Sequence, residues 1–220
     1  MQQDLKQALS HVRWIGGATD SGKSTVAQKL AGRCQMQIYH YDKYDLAHHE
    51  TLAETMPIHR RWLEASLDER WVHPEPKDLL QRTFRSFQDR FPLVIEDLLA
   101  LPRERLIVAE GFGLLPELLA PLLLSNHHAI WLVPTEAFKW ASMARRGKPS
   151  FGDRVSDPEK AKTNLFTRDM LLAEYIKDQV LKQGYRLQVI DGSKSAEQLT
   201  DMVEQHFMKA TDWGTLFAPV

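Results

Sequence analysis

The sequence predicts an α/β chain built on a parallel sheet with helices on both faces. Three observations predict this. Five short apolar runs alternate with helical patterns, as strands and crossover helices do. The first run leads through a glycine-rich turn into a helix, the order of a strand–loop–helix unit. The length, 220 residues, with 43% hydrophobic and 26% charged residues, suits one sizeable α/β domain.

The first run, Val12–Ile15, ends at Gly16-Gly17. The segment Ser24 to Leu30, with Ala27, Leu30 and Ala31 on one stripe, predicts a helix that Gly32 would stop. The second run is Met36–Tyr39. From Asp45 to Leu101 there is no strand candidate, and Phe84, Phe87, Phe91, Ile95 and Leu98 recur at helical spacing. This block, about 45–101, predicts a helical insertion over one end of the sheet, with Pro92 kinking or splitting its last helix. The remaining runs are Leu106–Ala109, Ala129–Val133 and Arg186–Ile190. Thr135 caps a helix that ends at Arg145-Arg146-Gly147. Asp157-Pro158-Glu159 starts a helix that runs to about Gln183 and stops at Gly184. Ser195 with Gln198 forms a capping box for the last helix. Residues from about 211 to 220 read as a loose tail.

Composition narrows the function. A formal net charge of −1 argues against a general affinity for nucleic acid or anionic membrane. A single cysteine, Cys34, allows no internal disulfide and suits a reducing compartment. The N-terminal residues lack a basic-then-apolar signal pattern, and no apolar run is long enough to span a bilayer. The expectation is a cytoplasmic protein with a small-molecule partner, its oligomeric state open.

The chemistry concentrates in Gly17-Ala18-Thr19-Asp20-Ser21-Gly22-Lys23-Ser24, followed by Thr25. It fits G-x-x-x-x-G-K-[ST] without mismatch. Glycines let successive N–H groups turn inward around phosphate oxygens. Lys23 can place its ammonium between phosphates, Ser24 can give its hydroxyl to Mg²⁺, and the helix N-terminus faces the same anion.

Further candidates lie at strand ends, where ligands of open parallel sheets sit. Asp42 follows the second strand and is either a base toward an acceptor hydroxyl or a turn residue capping the next helix, with Asp45 as second choice. Glu110 ends the third strand before flexible glycine and either holds a water on Mg²⁺ or caps the next helix. Arg145, Arg146 and Arg168 flank a Gly/Pro-bearing loop, about 145–168, that reads as a lid bringing cations to a transferring group. The alternative is that they answer helix dipoles. His59-Arg60-Arg61-Trp62 and Arg70-Trp71 either grip an anionic or ring-bearing acceptor or form a solvated helix face. His48-His49-Glu50 and His127-His128 lack the spacing of helical metal pairs and read as surface residues.

The glycine loop, Tyr41-Asp42-Lys43-Tyr44, Glu110-Gly111, the Arg145/Arg146 lid and Val189-Ile190-Asp191-Gly192 together resemble P-loop kinases of the nucleoside and nucleotide kinase type. Uridine kinase and chloramphenicol phosphotransferase are members that these residues resemble. The resemblance covers roughly 13–207. It implies the three-layer P-loop NTPase fold with strand order 2-3-1-4-5, Mg-ATP as phosphoryl donor, and a small acceptor under the helical insertion. It also implies Asp42 as base, Arg145 and Arg146 as lid arginines, and Gly192 and Ser193 beside adenine. A nucleotide-dependent switch is the rival reading, but N-K-x-D, a post-strand D-x-x-G and L-S-G-G-Q are all absent. A third reading is a kinase-like protein that binds nucleotide without transferring phosphate.

Overall fold

The computed structural model describes residues 2–147 and 150–210. Its centre is one five-stranded sheet of order β2-β3-β1-β4-β5, in which every pairing is parallel. The strands are β1 (Val12–Gly17), β2 (Gln37–His40), β3 (Ile107–Glu110), β4 (Ala129–Pro134) and β5 (Arg186–Ile190). The three central strands β1, β3 and β4 are buried along their whole length and are mostly apolar, the charged exceptions being Arg13 within β1 and Glu110 at the end of β3. The edge strands are partly exposed and carry polar residues such as Gln37, Arg186 and Gln188.

Strand alternation splits the core in two. Val12, Trp14, Ile107, Ala109, Ala129 and Trp131 face a layer that includes α6 (Pro76–Ala100) and α9 (Pro158–Lys182). Ile15, Val108, Ile130 and Leu132 face α2 (Lys23–Cys34) and α10 (Ala196–Phe207). Residues 45–100 contribute α3 (Asp45–Ala53), α4 (Pro57–Glu64), α5 (Leu67–Trp71) and α6. Phe87, Ile95 and Leu98 of the α6 stripe are buried, and Phe84 and Phe91 pack against the same core. The remaining helices are α1 (Gln2–Ala8), α7 (Pro116–Leu119) and α8 (Glu136–Arg146). Among the described residues no helix is long and apolar enough to cross a membrane.

The caps expected at Thr135, Asp157 and Ser195 are present, and each side chain accepts the backbone N–H three residues on. Three expectations are revised, and one helix was not anticipated. Gly32 lies inside α2, which ends at Cys34. The cap is Gln35, at φ 50°, whose N–H bonds Ala31 O. Of the two outcomes expected at Pro92, splitting does not occur: α6 runs continuously from Pro76 to Ala100, with Phe87, Val94 and Ile95 buried on either side of the proline. The sequence reading placed no element at α1. Gly111, expected as a flexible residue, is required for space, as is Gly113: a Cβ on either would collide with the Tyr41 side chain. The tail at 211–220 and the lid residues Lys148 and Pro149 lie outside the described residues.

Candidate functional site

The glycine loop forms at the carboxyl end of β1, between β3 and β4. Gly17 has φ 125° and runs so close to Leu132 that a Cβ would overlap its backbone, so only glycine fits. Ala18 N donates to Leu132 O at 3.1 Å and pins the start of the loop to β4. Ser21 Oγ donates to Ala18 O at 2.8 Å, and Gly22, at φ 82°, turns the chain into α2. Asp20 holds φ 60°, a conformation that costs a side-chain-bearing residue energy. The N–H groups of the first turn of α2 are those a helix leaves without internal partners. Ser24 and Thr25 sit exposed in that turn.

Lys23 folds back over the loop and donates from Nζ to Ala18 O at 2.6 Å. It is almost wholly buried, and burial holds its pKa below the usual lysine range, although Glu110, Asp42 and Asp20 pull the other way. Asp42 stands in the helical turn Tyr41–Tyr44 after β2. Asp42 is exposed to solvent, yet surrounding protein crowds its carboxyl. That crowding raises its pKa, Lys23 opposes the rise and Glu110 adds to it. Glu110 is buried and bound to His40, with Nδ1 to Oε1 at 2.7 Å. The structure therefore gathers Lys23, Asp42 and Glu110, from three separate elements, into one electrostatically coupled group. Asp45 is occupied differently: it pairs with the fully buried Arg90, which also bonds Tyr41 Oη and lies 4.6 Å from the Tyr41 ring centroid.

The three arginines are not gathered at one point. Arg145 is exposed in the last turn of α8, and Arg146 Nη1 lies 3.2 Å from Asp20 Oδ1. Arg168 is buried on α9, donates to Thr83 Oγ1 at 2.9 Å, and lies over Trp71 at 5.4 Å. Its Nε is 2.8 Å from Asp169 Oδ1, but off the line of a hydrogen bond, so that contact is purely ionic. Gly192, at φ 90°, follows β5 against Phe138, and Ser193 closes a turn by donating to Asp191 Oδ1 from both N and Oγ.

The sequence reading missed Lys139. It is fully buried on α8, and its Nζ donates to Thr19 Oγ1 at 2.7 Å, Asp20 Oδ2 at 2.9 Å and Asp169 Oδ2 at 2.8 Å. Thr19 Oγ1 also donates to Asp169 Oδ2 at 2.6 Å. Burial works to raise the Asp169 pKa, but Arg168, Lys139 and Thr19 together outweigh it and hold the carboxyl low. This brace ties the glycine loop to α8 and α9, and through Arg168 to a large cavity. One signal was available: Lys139, Ser142 and Met143 share the helical stripe that α8 buries.

The cavity, about 960 Å³, lies between α3–α6 and α9 and is lined by Asp45, Trp62, Arg70, Thr83, Phe112 and Arg168 among others. His48 and His49, read above as surface residues, are buried, as is His128. His48 Nε2 bonds Asp97 at 2.9 Å. His49 stacks on Trp62 at 3.8 Å and meets His59 nitrogen to nitrogen at 2.8 Å. Burial, then His59, pushes His49 down to about 4. Arg70 lies 4.3 Å from the Trp62 ring centroid. With His49 stacked on the same ring, Trp62 is already engaged inside the protein.

No protein-family model matches the chain, and no curated protein matches it in sequence. Solved structures do resemble it. Shikimate kinase from Acinetobacter baumannii in complex with shikimate is 17% identical, with 91% of this chain and 94% of that one covered at a TM-score of 0.47. Thymidylate kinase from Candida albicans is 13% identical, with 92% of each chain covered at a TM-score of 0.46. An uncharacterized protein from Eubacterium ventriosum is 17% identical, with 90% and 98% covered at a TM-score of 0.43. These are likenesses of fold at low identity, and no residue role, substrate or activity is taken from them.

Proposed function

We propose that the chain is an ATP-dependent kinase that moves the γ-phosphoryl group of Mg-ATP to a hydroxyl or phosphate of a small molecule, a nucleoside, nucleotide or similar metabolite. One observation carries the reading. A desolvated lysine and two carboxylates converge at the glycine loop, and a cavity large enough for a metabolite is lined by Asp45 and Phe112, three residues after Asp42 and two after Glu110, though by none of those three groups themselves.

In this reading the N–H groups of Asp20 to Thr25 and the Lys23 ammonium hold the phosphates. A polyanion there would relieve the burial that now disfavours the charge on Lys23. Ser24, exposed at the helix start, and Glu110, fixed by His40, are the hard oxygen donors that Mg²⁺ takes, and they would hold it directly or through water. When bound, the ion supplies charge neutralisation on the phosphates. Asp42 accepts the proton of an attacking acceptor hydroxyl as its oxygen bonds the γ-phosphorus and the bond to the bridging oxygen breaks. A carboxyl raised above the usual range suits that task better than an ordinary aspartate. Arg145 and Arg146 neutralise charge on the transferring group. Arg168 orients the acceptor from the cavity wall, Gly192 and Ser193 border adenine, and the protein works in the cytoplasm. Residues 45–101 are the acceptor-binding insertion and 145–168 the lid of a single domain.

The test is a product search. The protein is incubated with Mg-ATP and pooled nucleosides, nucleotides, sugars, hydroxy acids and amino alcohols, and the mixture is read by mass spectrometry. The expected result is one species heavier by one phosphoryl group that vanishes without protein. Slow hydrolysis of ATP with no phosphorylated product would contradict transfer.

A further inference from the structure

The α5–α6 and α9 walls of the cavity say what kind of molecule it takes. Five arginines line it, and so do five carboxylates. Three of those carboxylates are already engaged within the protein. Asp45 is paired with Arg90, Asp89 serves His59 and Arg85, and Glu69 closes the capping box with Ser66. The guanidiniums are less well supplied. Arg70 donates one Nη2 bond, to Leu63 O at 3.1 Å, while its Nε is buried with no acceptor. Arg82 donates to Glu69 O at 3.4 Å and is otherwise exposed to solvent. Arg168 has one side-chain acceptor, Thr83, and an Nε that its own ion pair with Asp169 leaves out of line. A buried N–H without an acceptor is a cost that native proteins rarely leave unmet, and guanidiniums match anionic oxygens two at a time. Trp62 offers little to a flat ligand, since His49 and Arg70 already pack on its ring.

We infer that the acceptor carries an anionic oxygen group, a phosphate monoester or a carboxylate, bound in this cavity by Arg70 with Arg168. The inference rests on the kinase reading for the word acceptor, but the anion site itself does not. A neutral nucleoside or sugar would leave the buried guanidinium edge unmet. An acceptor with an anionic group at Arg70 and a hydroxyl directed toward Asp42 satisfies both ends.

Calorimetry tests the site directly. Inorganic phosphate, and in a separate arm succinate, are titrated into the full chain and into Arg70→Met and Arg70→Lys variants. Any binding in the glycine loop is common to all three proteins, so the difference reads the cavity. The expected result is millimolar binding of at least one anion that weakens at least fivefold in Arg70→Met and less in Arg70→Lys. Dependence on Arg70 for phosphate alone assigns a phosphate monoester; dependence for succinate assigns a carboxylate. Should Arg70→Met fail to melt cooperatively, selenate soaked into wild-type crystals replaces it, with a selenium peak expected between Arg70 and Arg168. Equal affinities in wild type and a folded Arg70→Met, or no selenium peak in the cavity, would overturn the assignment. Failure of the kinase reading shows up separately, as no binding of a fluorescent ATP analogue with Mg²⁺.

Discussion

Lys23→Ala is expected to lower turnover by about 10³-fold, the size of effect seen when one charge-stabilising donor is removed from an active site. The physical reason lies in what Lys23 lacks. Its ammonium is buried, held by one carbonyl and faced by carboxylates that do not fully offset the loss of water. A group in that condition gains most from a polyanion, so the variant loses the interaction that phosphates would make. Stability should change little, by about 1 kcal/mol or less, because the lost desolvation cost and the lost attraction to Glu110 and Asp42 oppose each other. Single-turnover kinetics and a thermal melt read both halves. Full turnover in a folded variant would remove Lys23 from the mechanism.

Lys139→Met is expected to be the opposite kind of mutation, costly to the fold first. The side chain is wholly buried and serves Thr19, Asp20 and Asp169 at once. Methionine fills much of the volume but leaves the buried Asp169 with Arg168 and Thr19 alone. Breaking a buried pair from one side costs about 3–5 kcal/mol. The surviving partners place this case near the lower end, a fall in melting temperature of roughly 6–12 °C for a chain of this size. Nucleotide affinity should fall too, since Thr19 and Asp20 are loop residues and Asp20 is held at a costly backbone angle. Lys139→Arg should recover part of both. A melting temperature within 2 °C of wild type would mean that the brace does not bear on the fold.

These two lysines show what sequence reading could reach. Lys23 was legible because its chemistry is local: the glycines, the lysine and the serine that shape the loop are consecutive. The strands were legible because a strand buried on both faces is mostly apolar, as β1, β3 and β4 are apart from Arg13 within β1 and Glu110 at the end of β3. Lys139 was hidden because it acts across 120 residues to Thr19 and 30 to Asp169, and a lysine in a helix reads as solvated. His48 and His49 misled for the same reason. Their burial follows from the packing of α3 on α4 and α6, which no local pattern announced. Gly111 was noticed for flexibility, but what requires glycine there is space, which Tyr41 fills from 70 positions earlier.

The central claim is that main-chain hydrogens of the turn from Gly17 to Thr25, with Lys23, wrap nucleotide phosphates. Amide hydrogen exchange, followed residue by residue with and without Mg-ATP, tests it most directly. The account predicts that amides of Asp20 to Thr25 slow by an order of magnitude or more when Mg-ATP is added, and that AMP, which lacks the outer phosphates, does far less. Exchange in that segment unchanged at saturating Mg-ATP would contradict it.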